Sequence, residues 1–175
     1  MIRSTLSPRA ALFLTTLFAA CSDRAAVHSR TQSLSASPDD SAFAQVQTRG
    51  HLAMGVDQYT STHHFEPLPD GGRITLVRDS DDPAGVTQIR AHMTEIGAAF
   101  QRGDFTVPSF VHDRAVPGTA TMAASRSRIS YIADTVPHGG SLRIHSTDSI
   151  AISAIHQFLA FQRQDHRSPH ADASH

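Results

Sequence analysis

Pro69-Asp70-Gly71-Gly72-Arg73-Ile74-Thr75-Leu76-Val77 and Pro137-His138-Gly139-Gly140-Ser141-Leu142-Arg143-Ile144-His145 follow one pattern twice. Each begins with a Pro-x-Gly-Gly turn, where proline presets φ and glycine supplies conformations closed to other residues. Each then alternates apolar and polar side chains, the period of a half-buried strand. An extended candidate precedes each turn, His63 to Leu68 and Arg128 to Ala133. A helix follows each strand. The first opens at Asp82 as N-cap with Pro83 behind it, a favoured start, and carries Val86, Ile89, Met93, Ile96 and Phe100 before stopping at Gly103. The second starts after Thr147-Asp148 and carries Ile152, Ile155, Phe158 and Leu159.

Both halves therefore read strand, turn, strand, helix. Their helices also close on similar words, Ala99-Phe100-Gln101-Arg102-x-Asp104 and Ala160-Phe161-Gln162-Arg163-x-Asp165. The fold expected is α+β: one mainly antiparallel sheet of about four strands with two helices on one face, a ββα-ββα pseudo-duplication. The core should include Ile74, Leu76, Ile89, Met93, Ile96, Phe100, Ile144, Ile155, Phe158 and Leu159. Residues 104–126 join the halves, and with Pro108 and Pro117 they read as a long connection of little regular structure. Connections of that length often carry function.

Outward from this domain, the N-terminus reads as an export signal. Arg3 and Arg9 precede the apolar run from Ala10 to Ala20, which is too short for a bilayer helix of about 20 residues. It has the length of a signal h-region with a small-residue exit. Cys21, the only cysteine, follows Ala19-Ala20, and the stretch resembles the lipobox of bacterial lipoproteins. Residues 1–20 are thus expected to be a signal peptide. Residues 21–50 would be a lipidated cysteine and a flexible tether, rich in Ser, Ala, Thr and Gln. Residues 51–167 would form a single α+β domain, and 168–175 a disordered tail. Ser22 after the cysteine favours, by the sorting rule of some Gram-negative bacteria, the periplasmic face of the outer membrane.

Composition excludes several classes of chemistry. With Arg3 and Arg9 removed, the 15 basic residues fall to 13 against 16 acidic ones, so a nucleic-acid partner is not expected. There is no lysine, which removes Schiff bases, pyridoxal phosphate and a P-loop nucleotide site. A lipidated Cys21 would leave no thiol for catalysis, disulfides or metal. What stands out is 12 histidines in 175 residues. Histidine is the commonest metal ligand, although some would simply be surface residues in a chain that avoids lysine.

At Met54-Gly55-Val56-Asp57-Gln58-Tyr59-Thr60-Ser61-Thr62-His63-His64-Phe65 the chain resembles a family of small exported bacterial proteins and lipoproteins without an assigned activity. The resemblance continues through Ile89-Arg90-Ala91-His92, Gly103-Asp104-Phe105, His112-Asp113, Pro117-Gly118 with Met122, and Ala154-Ile155-His156-Gln157-Phe158-Leu159 to Asp165-His166. Members sometimes carry the label aspartate carbamoyltransferase. That activity needs two domains, about twice this length and a Ser-Thr-Arg-Thr phosphate loop, and this chain has none of them.

The polar residues within the resemblance point to a transition-metal site. His63, His64, His92, His112 and His156 are its candidate ligands, with Met54, Met122, Asp57, Glu95 and His166 as further candidates. Neutral imidazoles converging from separate elements suit zinc, copper or nickel, and thioethers tilt the choice toward cuprous copper. If His63 and His64 lie on a strand they face opposite ways, and only one can join a site. The function expected is an envelope protein that handles or senses copper, or zinc, at clustered histidines. The rival is a small-molecule or peptide-binding module with structural histidines. A metal-dependent hydrolase with Asp57 or Glu95 as base ranks third, since no nucleophile elbow or HExxH-type motif supports it. A protein partner is not indicated.

Overall fold

The computed structural model describes residues 37–169. The expected signal peptide, Cys21, the first part of the expected tether and residues 170–175 lie outside them. No helix among the described residues is long and apolar enough to cross a membrane.

Four strands form one antiparallel sheet: β1 (Ser61–Leu68), β2 (Gly71–Arg78), β3 (Ile129–Val136) and β4 (Gly139–Ser146). Their spatial order is β1-β2-β4-β3. The two hairpins close through Pro69-Asp70 and Pro137-His138, with Leu68 paired to Gly71 and Val136 to Gly139. The hairpins join along β2 and β4, where Ile74 lies opposite Leu142. Each of these residues stands two places beyond its Gly-Gly pair. The seam between the halves is thus centred where a twofold relating them would pass, as the repeated sequence anticipates.

Two long helices cover one face. α2 (Pro83–Gln101) and α5 (Ser149–Asp165) begin at Asp82 and Asp148, whose side chains accept from the backbone N–H of Gly85 and Ala151. Such caps satisfy donors that the first helical turn leaves open. α2 follows β2 yet packs on β3 and β4, whereas α5 follows β4 yet packs mainly on β1 and β2. Each half's helix therefore covers the other half's hairpin, which makes the two interdependent. The second glycine of each turn permits this approach. A β carbon at Gly72 would stand 2.1 Å from Leu159 Cδ1, and one at Gly140 would stand 3.2 Å from Met93 Cγ.

Between sheet and helices lie Leu76, Ile89, Phe100, Leu142, Ile144 and Ile155, all without exposed surface. Burying each such side chain contributes about 1.5–3 kcal/mol. Ile96, expected among them, packs at the margin and is only partly buried.

Three departures from the sequence reading matter for the site. The tether does not run to residue 50, because α1 (Pro38–Met54) begins twelve residues earlier. Its inward residues are Val46, Gln47, Gly50 and Met54, so it shows no apolar stripe. Its caps were nonetheless readable: Ser37 accepts from Asp40 N–H, and Gly55 ends the helix in the left-handed region. Second, the connection 104–126 is not unstructured, since it holds α3 (Thr106–His112) and α4 (Thr119–Ala124). These helices are too short to show a period, and Pro108 falls within the first turn of α3, where its missing N–H costs little. Third, backbone order continues past 167, where Ser168 N–H donates to Arg163 O at 3.0 Å.

Candidate functional site

Strand alternation separates the two adjacent histidines. His63 shares a face with Phe65 and points toward the helices, while His64 lies on the opposite, exposed face. His63 opens into a cavity of about 60 Å³. Met93 and Ile96 of α2, Phe158 of α5 and Val111 of α3 line it, with His92, His112, His166, Gln162 and Met54 among them. That volume admits a few water-sized bodies. It is far too small for a nucleotide or a sugar.

Three imidazoles are in contact within this site. The rings of His63 and His166 have centroids 4.7 Å apart, and those of His112 and His166 lie 5.1 Å apart at near right angles. Phe65 stacks on His63 at 5.6 Å and tilts against His166 at 5.5 Å. His166 is therefore the hub. It caps the C-terminal end of α5, beyond that helix's apolar stripe, which is why periodicity gave it little weight.

Burial sets the charge state. Desolvation carries His63 from the ordinary imidazole value down to about 3, helped by His92, His64 and His112 nearby. His63 keeps some surface open to solvent, which moderates that shift without changing its direction. Burial likewise pushes His166 well below its usual value, with His63 and His112 adding to the effect. His92 is lowered by burial, and Glu95 partly opposes this. No carboxylate or guanidinium lines the cavity. Its walls are apolar groups, Gln162 and imidazoles, and burial holds His63, His92 and His166 toward the neutral form, the state that accepts a hydrogen bond or ligates a metal.

His112 is already engaged. Its Nδ1 meets the Asp165 carboxylate, and its Nε2 lies 2.9 Å from Gln162 Oε1. Asp165 also accepts from Arg114 at 2.6 Å. In contrast, His166 Nδ1 is buried with no hydrogen-bond partner. Such orphaned atoms are uncommon and call for an explanation.

The remaining candidates lie elsewhere. His156 Nε2–H donates to Leu68 O at 2.9 Å, tying α5 to the end of β1, and its ring does not line the cavity. Asp57 accepts from Tyr59 N–H at 2.8 Å and shapes the turn before β1. Met122 is fully buried in α4, part of the core and outside the cavity. Glu95 is exposed. Among the described residues, no three His, Cys, Asp or Glu side chains are arranged to hold a metal ion. The closest ring contact is between His63 and His166, with His92 and the thioethers of Met54 and Met93 on the same walls.

No known protein family, curated protein or solved structure matches this chain. Function must be argued from the site itself.

Proposed function

We propose that this chain is a lipid-anchored protein of the cell envelope, held at the periplasmic face of the outer membrane through Cys21. In this reading it binds a transition metal in the histidine cavity, copper in preference to zinc, as part of metal handling or sensing. The observation that carries the reading is the pair of neutral imidazoles 4.7 Å apart, one with a buried, unpartnered nitrogen, in a cavity that also holds two thioethers.

The choice of metal follows from ligand number and softness. Zinc sites take three or four protein ligands in tetrahedral geometry. Cuprous copper accepts two or three, and imidazole with thioether is a set that it favours. His63 and His166 are the ligands proposed, with Met54 or Met93 as the soft third donor and His92 within the same walls. His112, with both nitrogens engaged, is assigned to the wall and not to the metal.

The test is calorimetry and elemental analysis of the purified domain with cuprous, cupric and zinc ions. Cuprous uptake near one equivalent, abolished by His63→Ala with His166→Ala, supports the reading. Failure of micromolar cuprous ion to bind removes it. The second reading then takes over: a small uncharged molecule in the same cavity, favoured by the apolar walls of Phe65, Ile96, Phe100 and Val111. Anchoring is tested separately by fractionating a Cys21→Ala variant, which should leave the membrane.

A further inference from the structure

We infer that α1 and α3 form a roof over the histidine cavity, latched to α5 by His112, and that the bound species passes in and out when this latch opens. The inference concerns regulation of the site proposed above and rests on that reading for what passes, but not for the roof itself.

α3 supplies Val107, Pro108, Val111 and His112 to the cavity wall. Its chief packing partner is α1, not the sheet. The two helices are tied, since Arg49 Nε–H donates to Val111 O at 2.8 Å. α3 ends at Asp113 in the left-handed region, φ 52°, and Gly103, φ 82°, turns the chain between the end of α2 and the start of α3.

The seam between this roof and the end of α5 is polar. A groove of about 760 Å³ runs along it, with Arg49, Arg114, Asp165 and Arg167 on its walls. Besides His112, two ion pairs cross it, and Arg167 also lies 4.5 Å over the Phe43 ring of α1. Arg114 reaches Asp165 at 2.6 Å, and Arg167 reaches Asp40 at 2.9 Å. Both arginines are about half exposed, and exposed pairs contribute little. The His112 side chain is 1 % exposed, and it joins both Asp165 and Gln162. Buried bonds to a carboxylate are the strong ones. His112 is also shared by the two spaces, bordering the apolar cavity on one side and the groove on the other. Breaking this buried contact would therefore join the cavity to the groove and give it a second, wider mouth.

Amide hydrogen exchange on the metal-free protein tests the roof without relying on any ligand. Asp165→Asn should speed exchange across residues 104–113 at least tenfold and leave β2 and β4 unchanged. Arg167→Gln, which removes the exposed contacts to Asp40 and Phe43, should produce a smaller rise of about threefold in the same segment and in α1. Acceleration that is absent in both variants, or that spreads equally into the sheet, overturns the inference. Transfer of cuprous ion from loaded protein to a chelator gives the second readout. Asp165→Asn should release at least tenfold faster, with equilibrium affinity changed less than threefold. A wild type that takes up no copper refutes the metal reading, and the exchange data still decide the roof. Equal loss of affinity and rate would make His112 part of the binding set and refute the latch.

Discussion

His63 and Tyr131 occupy matching places in the two halves, each nine residues before the second glycine of its turn. His63 pairs with Leu76 on β2, and Tyr131 with Ile144 on β4. Both face the helical layer, yet their surroundings differ. Tyr131 packs edge-on to Phe100 beneath α2 and does not line the cavity. His63 opens into a cavity walled by Gln162 of α5, by His166 at that helix's C-cap and by α3. The scaffold is repeated and the site is not. What separates them is the polar end of α5 and the helices α1 and α3 laid over it, so the candidate function sits where the two halves differ.

The largest expected effect breaks this comparison at the site. His63→Ala with His166→Ala should lower cuprous affinity at least a hundredfold, or about 2.7 kcal/mol. Tyr131→Phe, at the matching position, should leave it within threefold. Competition against a cuprous chelator measures both. Equal losses would place the metal somewhere other than the cavity.

The second effect compares the two glycines. At Gly72 a β carbon would stand 2.1 Å from Leu159 Cδ1 and 2.8 Å from the carbonyl oxygen of Glu66. At Gly140 its nearest neighbour is Met93 Cγ at 3.2 Å, a flexible side chain. Overpacking costs about 1–3 kcal/mol. Gly72→Ala should fall at the upper end of that range and Gly140→Ala near or below its lower end, measured by urea denaturation. The reverse order would mean that α2, and not α5, is the helix held most tightly to the sheet.

The same contrast shows what could be read in advance. The turns, the four strands and the helices α2 and α5 announce themselves through period and caps. The shared helix wording was less informative. Phe100 is fully buried in the last turn of α2, while Phe161 is only partly buried and lies four residues before the end of α5. Side-chain words repeat there without repeating their environments. Three of the five histidines put forward from the sequence, His63, His92 and His112, line the cavity. His64 does not, because a strand turns adjacent residues to opposite faces. His156 does not, because the border of the α5 stripe where it sits faces the end of β1. His166, the hub, lies past the stripe, where no periodicity reaches. The roof was invisible because α1 turns glutamine and glycine inward and α3 spans only seven residues.

A smaller effect comes from proton linkage. In the unfolded chain His63 and His166 take up protons near pH 6.5, whereas burial lowers both in the folded protein, His63 to about 3. Below pH 6.5 the unfolded state therefore binds more protons, and stability falls with acidification. With solvent access to His63 discounted, metal-free protein should lose about 1–2 kcal/mol between pH 7 and pH 4.5. His92, His64 and His112 surround His63 and add no carboxylate to offset this. His63→Phe, which cannot titrate, should flatten the slope, whereas Tyr131→Phe should not. Parallel slopes for wild type and His63→Phe would mean that acid sensitivity arises elsewhere.

The smallest effect lies on the Tyr131 side. Tyr131 Oη is buried without a hydrogen-bond partner, and burial raises its pKa further above the usual phenol value, so the hydroxyl stays protonated throughout the working range. An unsatisfied buried donor costs about 1–3 kcal/mol, and phenylalanine keeps the ring that packs on Phe100. Tyr131→Phe should therefore stabilise the fold by about 1 kcal/mol in thermal or urea unfolding, with copper affinity unchanged. Loss of stability would show that the hydroxyl is satisfied in solution, by water or by motion of α2. The Tyr131 side would then be less closed than its packing suggests, and the contrast with the His63 side would narrow to the identity of the ring alone.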